Sequence, residues 1–128
     1  MGGLTALVDT SVAIGAMDLI DPEKEGRWAV AAVTVGELYA GVLLTNEDAE
    51  QATRLRRLAS VLSIATVLDV DRMVTARYGE LRMESGRAPC NDLWIAATAL
   101  AHDLELLTMD ERMATLPFIR STLIRSAD

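Results

Sequence analysis

Histidine, lysine and cysteine are almost missing from this 128-residue chain, and each scarcity removes a class of chemistry. One histidine, His102, cannot make a His-based acid–base pair, and its place at the end of an apolar helical stretch reads as a helix terminus. One cysteine, Cys90, cannot form an intramolecular disulfide, and no Cys/His cluster offers a zinc site. That scarcity points to a reducing, intracellular compartment, here taken as cytoplasmic. One lysine, Lys24, leaves none after a late strand, where a phosphoacceptor receiver domain requires one. There is no P-loop and no dinucleotide glycine fingerprint. No uncharged run approaches the roughly 18 apolar residues of a membrane span; the best candidate, Ala29 to Leu44, is interrupted by Glu37. The N-terminus has no basic segment and Asp9 breaks its apolar stretch, so it does not read as a signal peptide.

What remains is half apolar, enough to bury a core at a length that suits a single domain spanning residues 1–128. The net charge of −7 opposes indiscriminate binding to nucleic acid. Yet eleven of the twelve basic residues are arginine, which grips phosphate through two parallel hydrogen bonds. Arg54, Arg57, Arg82 and Arg87 are candidates for such contacts, set against ordinary pairing with glutamates on helix faces. Trp28 and Trp94 read as core or interface residues rather than base-stacking platforms.

Short apolar runs alternate with helical patterns. Strands are expected at Leu4–Val8, Ala29–Val33, Ala65–Leu68 and Leu104–Thr108, with Thr122–Ile124 as a candidate fifth. Helices are expected at Ser11–Met17, Thr34–Leu44, Glu47–Leu62, Asp71–Glu84 and Asn91–His102, with Asp21-Pro22 breaking the first. In the third helix Ala49, Ala52, Leu55, Ala59 and Leu62 form the apolar stripe, with Arg54 and Arg57 turned elsewhere. Strands alternating with helices imply an α/β fold: a central parallel sheet of four to five short strands with helices on both faces. Ligands of such sheets sit beyond the carboxyl ends of the strands.

Four acids stand in apolar surroundings that do not suit them. Asp9 ends a strand, Asp110 follows one by two residues, Asp92 opens an apolar helix, and Glu37 is the lone charge between Ala29 and Leu44. Singly, each has an ordinary explanation: N-caps or first-turn acids for the aspartates, and a capping box for Glu37, three residues after Thr34. Together they would meet at one sheet edge. Four carboxylates about 8 Å apart repel by about 2 kcal/mol per pair at an effective dielectric near 20, on the order of 12 kcal/mol for all pairs. A divalent cation would cancel this, and oxygen-only ligands select Mg²⁺ or Mn²⁺.

Leu7-Val8-Asp9-Thr10-Ser11, Thr34-Val35-Gly36-Glu37-Leu38 with Gly41, Asn91-Asp92 with Ile95-Ala96-Ala97 and Ala99, and Leu107-Thr108-Met109-Asp110 occur in this order over nearly the whole chain. In that order and spacing they resemble the motifs of PIN-domain ribonucleases, and among them the VapC-type toxins of toxin–antitoxin pairs. The resemblance implies a three-layer PIN-like fold and metal ligation by Asp9, Glu37, Asp92 and Asp110. It implies supporting hydrogen bonds from Thr108 and Ser11. It further implies Mg²⁺- or Mn²⁺-dependent cleavage of RNA, a cognate antitoxin usually encoded alongside, a homodimer and a hetero-oligomer with the antitoxin. Members often carry Asn at the fourth acidic position and an aromatic residue where Met113 stands here. The alternative reading is a PIN-like module that holds RNA or a protein without cutting.

Overall fold

In the computed structural model, residues 3–19 and 27–125 are described; the Asp21-Pro22 break lies outside them. The chain runs β1 (Leu4–Val8), α1 (Thr10–Gly15), a 3-10 turn (Met17–Leu19), β2 (Arg27–Ala31), α2 (Ala32–Leu44), α3 (Asp48–Ile64), β3 (Thr66–Leu68), α4 (Arg72–Glu84), α5 (Cys90–Ala101), β4 (Glu105–Thr108), α6 (Glu111–Ala114) and β5 (Ser121–Leu123). All strand pairings are parallel and the order is β3-β2-β1-β4-β5. The chain therefore builds outward from β1 to one side, then returns to build on the other. The carboxyl ends of β1 and β4 flank the reversal, which is where open α/β sheets bind ligands.

The inner strands β1, β2 and β4 hold buried apolar runs because both of their faces are covered. Ala6, Val8, Trp28, Val30 and Leu107 point into a core shared with α1, α2 and α3. Leu7, Ala29, Ala31 and Leu106 alternate to the opposite face, against Ile95 and Ala99 of α5 and Met113 of α6. A third cluster joins α4 to α5 through Val74, Leu81, Leu93, Ala96 and Ala97. Leu7, Leu81, Leu93 and Leu106 are fully buried, each contributing about 1.5–3 kcal/mol. Trp28 is likewise a core residue, and Trp94 stacks on Tyr78 with ring centroids 3.9 Å apart.

Three differences from the sequence reading bear on the site and its surroundings. β2 ends at Ala31, two residues earlier than expected, because Val30 and Ala31 pair with the last residues of β1 and β3 and no strand lies beyond them. Helix α2 then begins at once, at Ala32, with Ala31 as its N-cap and no side-chain cap. Thr34 is thus inside the helix and fully buried, so the capping-box explanation of Glu37 does not hold. On α3 the inward face is Leu58 and Val61, with Arg54 and Arg57 beside it. The stripe Ala49, Ala52, Leu55, Ala59 and Leu62 faces outward instead. Its periodicity was legible; its direction was not, because nothing in the pattern says which apolar face the protein itself covers.

Candidate functional site

Each acid owes its position to the end of an element. Asp9 is the residue after β1, its N–H extending the ladder to Leu107 O at 3.0 Å. Its Oδ1 caps α1 by accepting from Val12 N at 3.0 Å. The same oxygen accepts from Ser11 Oγ at 2.6 Å, and Oδ2 accepts from Thr108 Oγ1 at 2.5 Å. Three donors therefore hold a buried carboxylate at one orientation. Thr108 and Ser11 also tie down the segment after β4: Thr108 Oγ1 accepts from Asp110 N and Ser11 Oγ from Met109 N, both at 3.0 Å. Asp110 caps α6 through Arg112 N at 2.8 Å, with the Arg112 guanidinium 3.7 Å from the same oxygen.

Glu37 sits one turn into α2 and accepts from Thr10 Oγ1 at 2.6 Å, while Thr10 Oγ1 lies 3.1 Å from the buried Thr34 hydroxyl. Sequence reasoning missed Thr10 and Thr34. The Asp-Thr-Ser order put Thr10 at the right place, but its partner lies 27 residues away and becomes visible only once β1 and β2 are paired. Asp92 lies in the first turn of α5, half-buried, behind the N-cap Pro89. It has no hydrogen-bond or ion-pair partner among the described residues.

Asp92 feels the other three acids. Burial raises the Asp92 carboxyl above its usual range, and Asp110, Glu37 and Asp9 push it further in the same direction; Arg112 pulls the other way. Among the described residues, however, no three metal-ligating side chains converge tightly enough to hold an ion as they stand. The local bonds explain this, since Glu37 Oε1 is drawn to Thr10 and Asp110 Oδ1 to its own helix turn. The donor set nonetheless suits a hard divalent cation. It is all oxygen, Glu37 and Asp110 each keep one uncommitted oxygen, Asp92 keeps both, and Asp9 Oδ2 accepts only one bond.

The shift at Asp92 has a consequence for stability. Without metal, the folded state holds the Asp92 proton more tightly than the unfolded chain does. Below the usual carboxyl range both states are protonated and nothing is lost. As pH rises through that range to the folded value stability falls, and the full penalty stays above it. In EDTA, Asp92→Asn should therefore melt a few degrees above the wild type at about pH 7, with the gap closing at about pH 4. Thermal melts at both values check this, and an equal gap at both refutes it.

Of the arginines singled out by composition, two are spent on the fold. Arg54 donates to Gly41 O at 2.7 Å and pairs with Glu50, and Arg82 donates to Ala88 O at 2.9 Å and to Gly86 O and Tyr78 Oη. Arg57 and Arg87 have no partner among the described residues. Arg57 lines a groove of about 380 Å³ with Glu37, Ile14, Leu38 and Gly41, which adjoins a second of about 300 Å³ through Ile14 and Arg57. His102 is the C-cap of α5 and Cys90 is exposed, 3.6 Å from Tyr78 Oη. No helix among the described residues is long and apolar enough to cross a membrane.

Comparison with known proteins places this arrangement. Residues 6–119 match the model of the PIN domain. The chain is 38% identical over 119 residues to Ribonuclease VapC4 of Mycobacterium tuberculosis, covering 88% of this chain and 91% of that protein. It is 38% identical over 117 residues to Ribonuclease VapC5 of the same organism, covering 86% of each. Among solved structures it is similar to VapBC-5 of M. tuberculosis, a member of the VapBC family of toxin–antitoxin systems. That similarity has a TM-score of 0.78 and 36% identity, over 97% of this chain and all of that one.

Proposed function

The chain belongs to the PIN-domain family, and from that premise we propose that it is an Mg²⁺- or Mn²⁺-dependent endoribonuclease and the toxin of a toxin–antitoxin pair. What supports the hydrolase reading is the placement of Asp9 directly after β1, Asp110 two residues after β4, Glu37 one turn into α2 and Asp92 in the first turn of α5, near enough for the other three to act on Asp92, each with acceptor capacity to spare. These four would hold the cation, which when bound supplies an activated water and stabilises the charge that develops on the phosphodiester.

The chain's own residues do the positioning. Ser11, Val12 N and Thr108 keep the Asp9 carboxylate aimed, so no reorientation is needed when substrate arrives. Thr10 restrains Glu37 through a single oxygen and leaves the other to turn toward the site. Asp92 is the least restrained of the four, so its charge has most to gain from a cation. Chelation is the direct test. EDTA should abolish RNA cleavage, and excess Mg²⁺ or Mn²⁺ should restore it; full activity in excess chelator would sink the mechanism.

The partner follows from what the fold leaves uncovered. Ile14, Leu43, Leu44, Leu55, Leu62 and Ile64 are exposed on α1, α2 and α3, and Ile14 lines the groove that holds Glu37. Exposed apolar surface on this scale marks a protein interface. An antitoxin segment lying along α2 and α3 with an Arg at the acids would cover the apolar side chains and compete with the cation, since one guanidinium pairs with two carboxylates. A toxin homodimer carrying bound antitoxin completes the assembly that the family suggests.

A further inference from the structure

A separate cavity of about 130 Å³ opens beside Asp92 and shares no lining residue with the α1–α2–α3 groove. Its floor is apolar, with Pro89 at the start of α5 and Met113 and Leu116 from α6 and the turn after it. Two guanidiniums stand at its wall, Arg87 and Arg112. Arg87 is exposed and has no partner among the described residues. The Arg112 side chain is 81% exposed and reaches Asp110 only at 3.7 Å, a loose contact in which solvent screens most of the attraction. Arg54 and Arg82, by contrast, are committed to backbone carbonyls.

A polyanion approaching four carboxylates in a chain of net charge −7 needs local positive charge where it lands. Arg87 and Arg112 supply it next to an acid of the site. The cavity is far below the roughly 300 Å³ of a ligand pocket, and its size suits one unstacked ring. We propose that Arg87 and Arg112 form a phosphate-gripping rim that seats one nucleotide of single-stranded RNA beside the cleaved bond, its base or sugar against Met113 and Leu116. The assignment rests on the hydrolase reading and deepens it by separating an RNA side of the site from an antitoxin side.

The test uses the full chain and a short fluorescent single-stranded oligoribonucleotide, with binding measured by anisotropy in EDTA across a salt series. Arg87→Gln and Arg112→Gln should each weaken binding several-fold and lower the slope of log K against log salt by about 0.7. Arg87→Lys should keep the slope, since it keeps the charge. Arg120→Gln, which removes a cation paired with Asp103 elsewhere, should leave the slope unchanged. In Mg²⁺ Arg87→Gln, which touches none of the four acids, should raise KM several-fold while kcat stays within about twofold, the pattern of lost ground-state binding. Cleavage by the wild type with an unchanged slope in both single variants overturns the rim and leaves the hydrolase standing. RNA held through these two arginines but never cut in Mg²⁺ or Mn²⁺ keeps the rim and overturns the hydrolase.

Discussion

Asp9→Asn and Asp92→Asn should each lower RNA cleavage by about a hundredfold or more with the fold intact. Removing a group that only supports a metal ligand costs about 10–100-fold, and removing a ligand charge should cost no less. The substitutions are close to isosteric, and Asn at position 9 retains an oxygen for Ser11 and Val12 N. Circular dichroism should therefore be unchanged while initial rates collapse. Glu37→Gln should fall nearly as far, since it keeps the bond from Thr10 and loses only the charge. Asp110→Asn should fall least, since its Oδ1 is occupied by its own helix turn and Arg112 already offsets its charge. Wild-type cleavage rates in Asp92→Asn would show that the site has been misassigned.

The second large effect is cellular. Induced expression of the chain without a partner should arrest bacterial growth, and the cognate antitoxin should restore it. Ile14 lines both halves of the groove, so Ile14→Asp should separate the two activities. An unpaired charge buried under the antitoxin costs about 3 kcal/mol, which weakens binding about a hundredfold. The variant should still cut RNA but escape neutralisation, and an antitoxin lacking its inserted Arg should behave alike. Harmless expression of the wild type at high level would end the toxin reading, whatever the fate of the metal site.

Much of this was legible in the residues before any fold was known. The inner strands announced themselves as short apolar runs because a parallel sheet covered on both faces leaves them no polar side. Asp9, Glu37, Asp92 and Asp110 stood out because a carboxylate in apolar company needs a partner. Other features had no sequence signal. Helix α6 is four residues long, too short for any period to register. Arg54 and Arg82 looked as available as Arg57 and Arg87, since spacing gives the direction of a side chain and not the carbonyl that meets it. The Thr34–Glu37 spacing matched a capping box by coincidence; β2 hands the chain directly into α2, and the helix start moved upstream of Thr34.

The bond from Thr108 to Asp9 joins residues 99 positions apart. The two helix pairs, α2 with α3 and α4 with α5, pack between near neighbours in the chain and can assemble early. The brace on Asp9 is of another kind, because it requires the first and fourth strands to lie side by side, which closes a loop of most of the chain. A copy still on its way to the native state, even with both helix pairs formed, has no finished centre. The centre is thus tied to the longest-range strand pairing among the described residues, and a substitution that loosens β1 from β4 should reach Asp9 through Thr108.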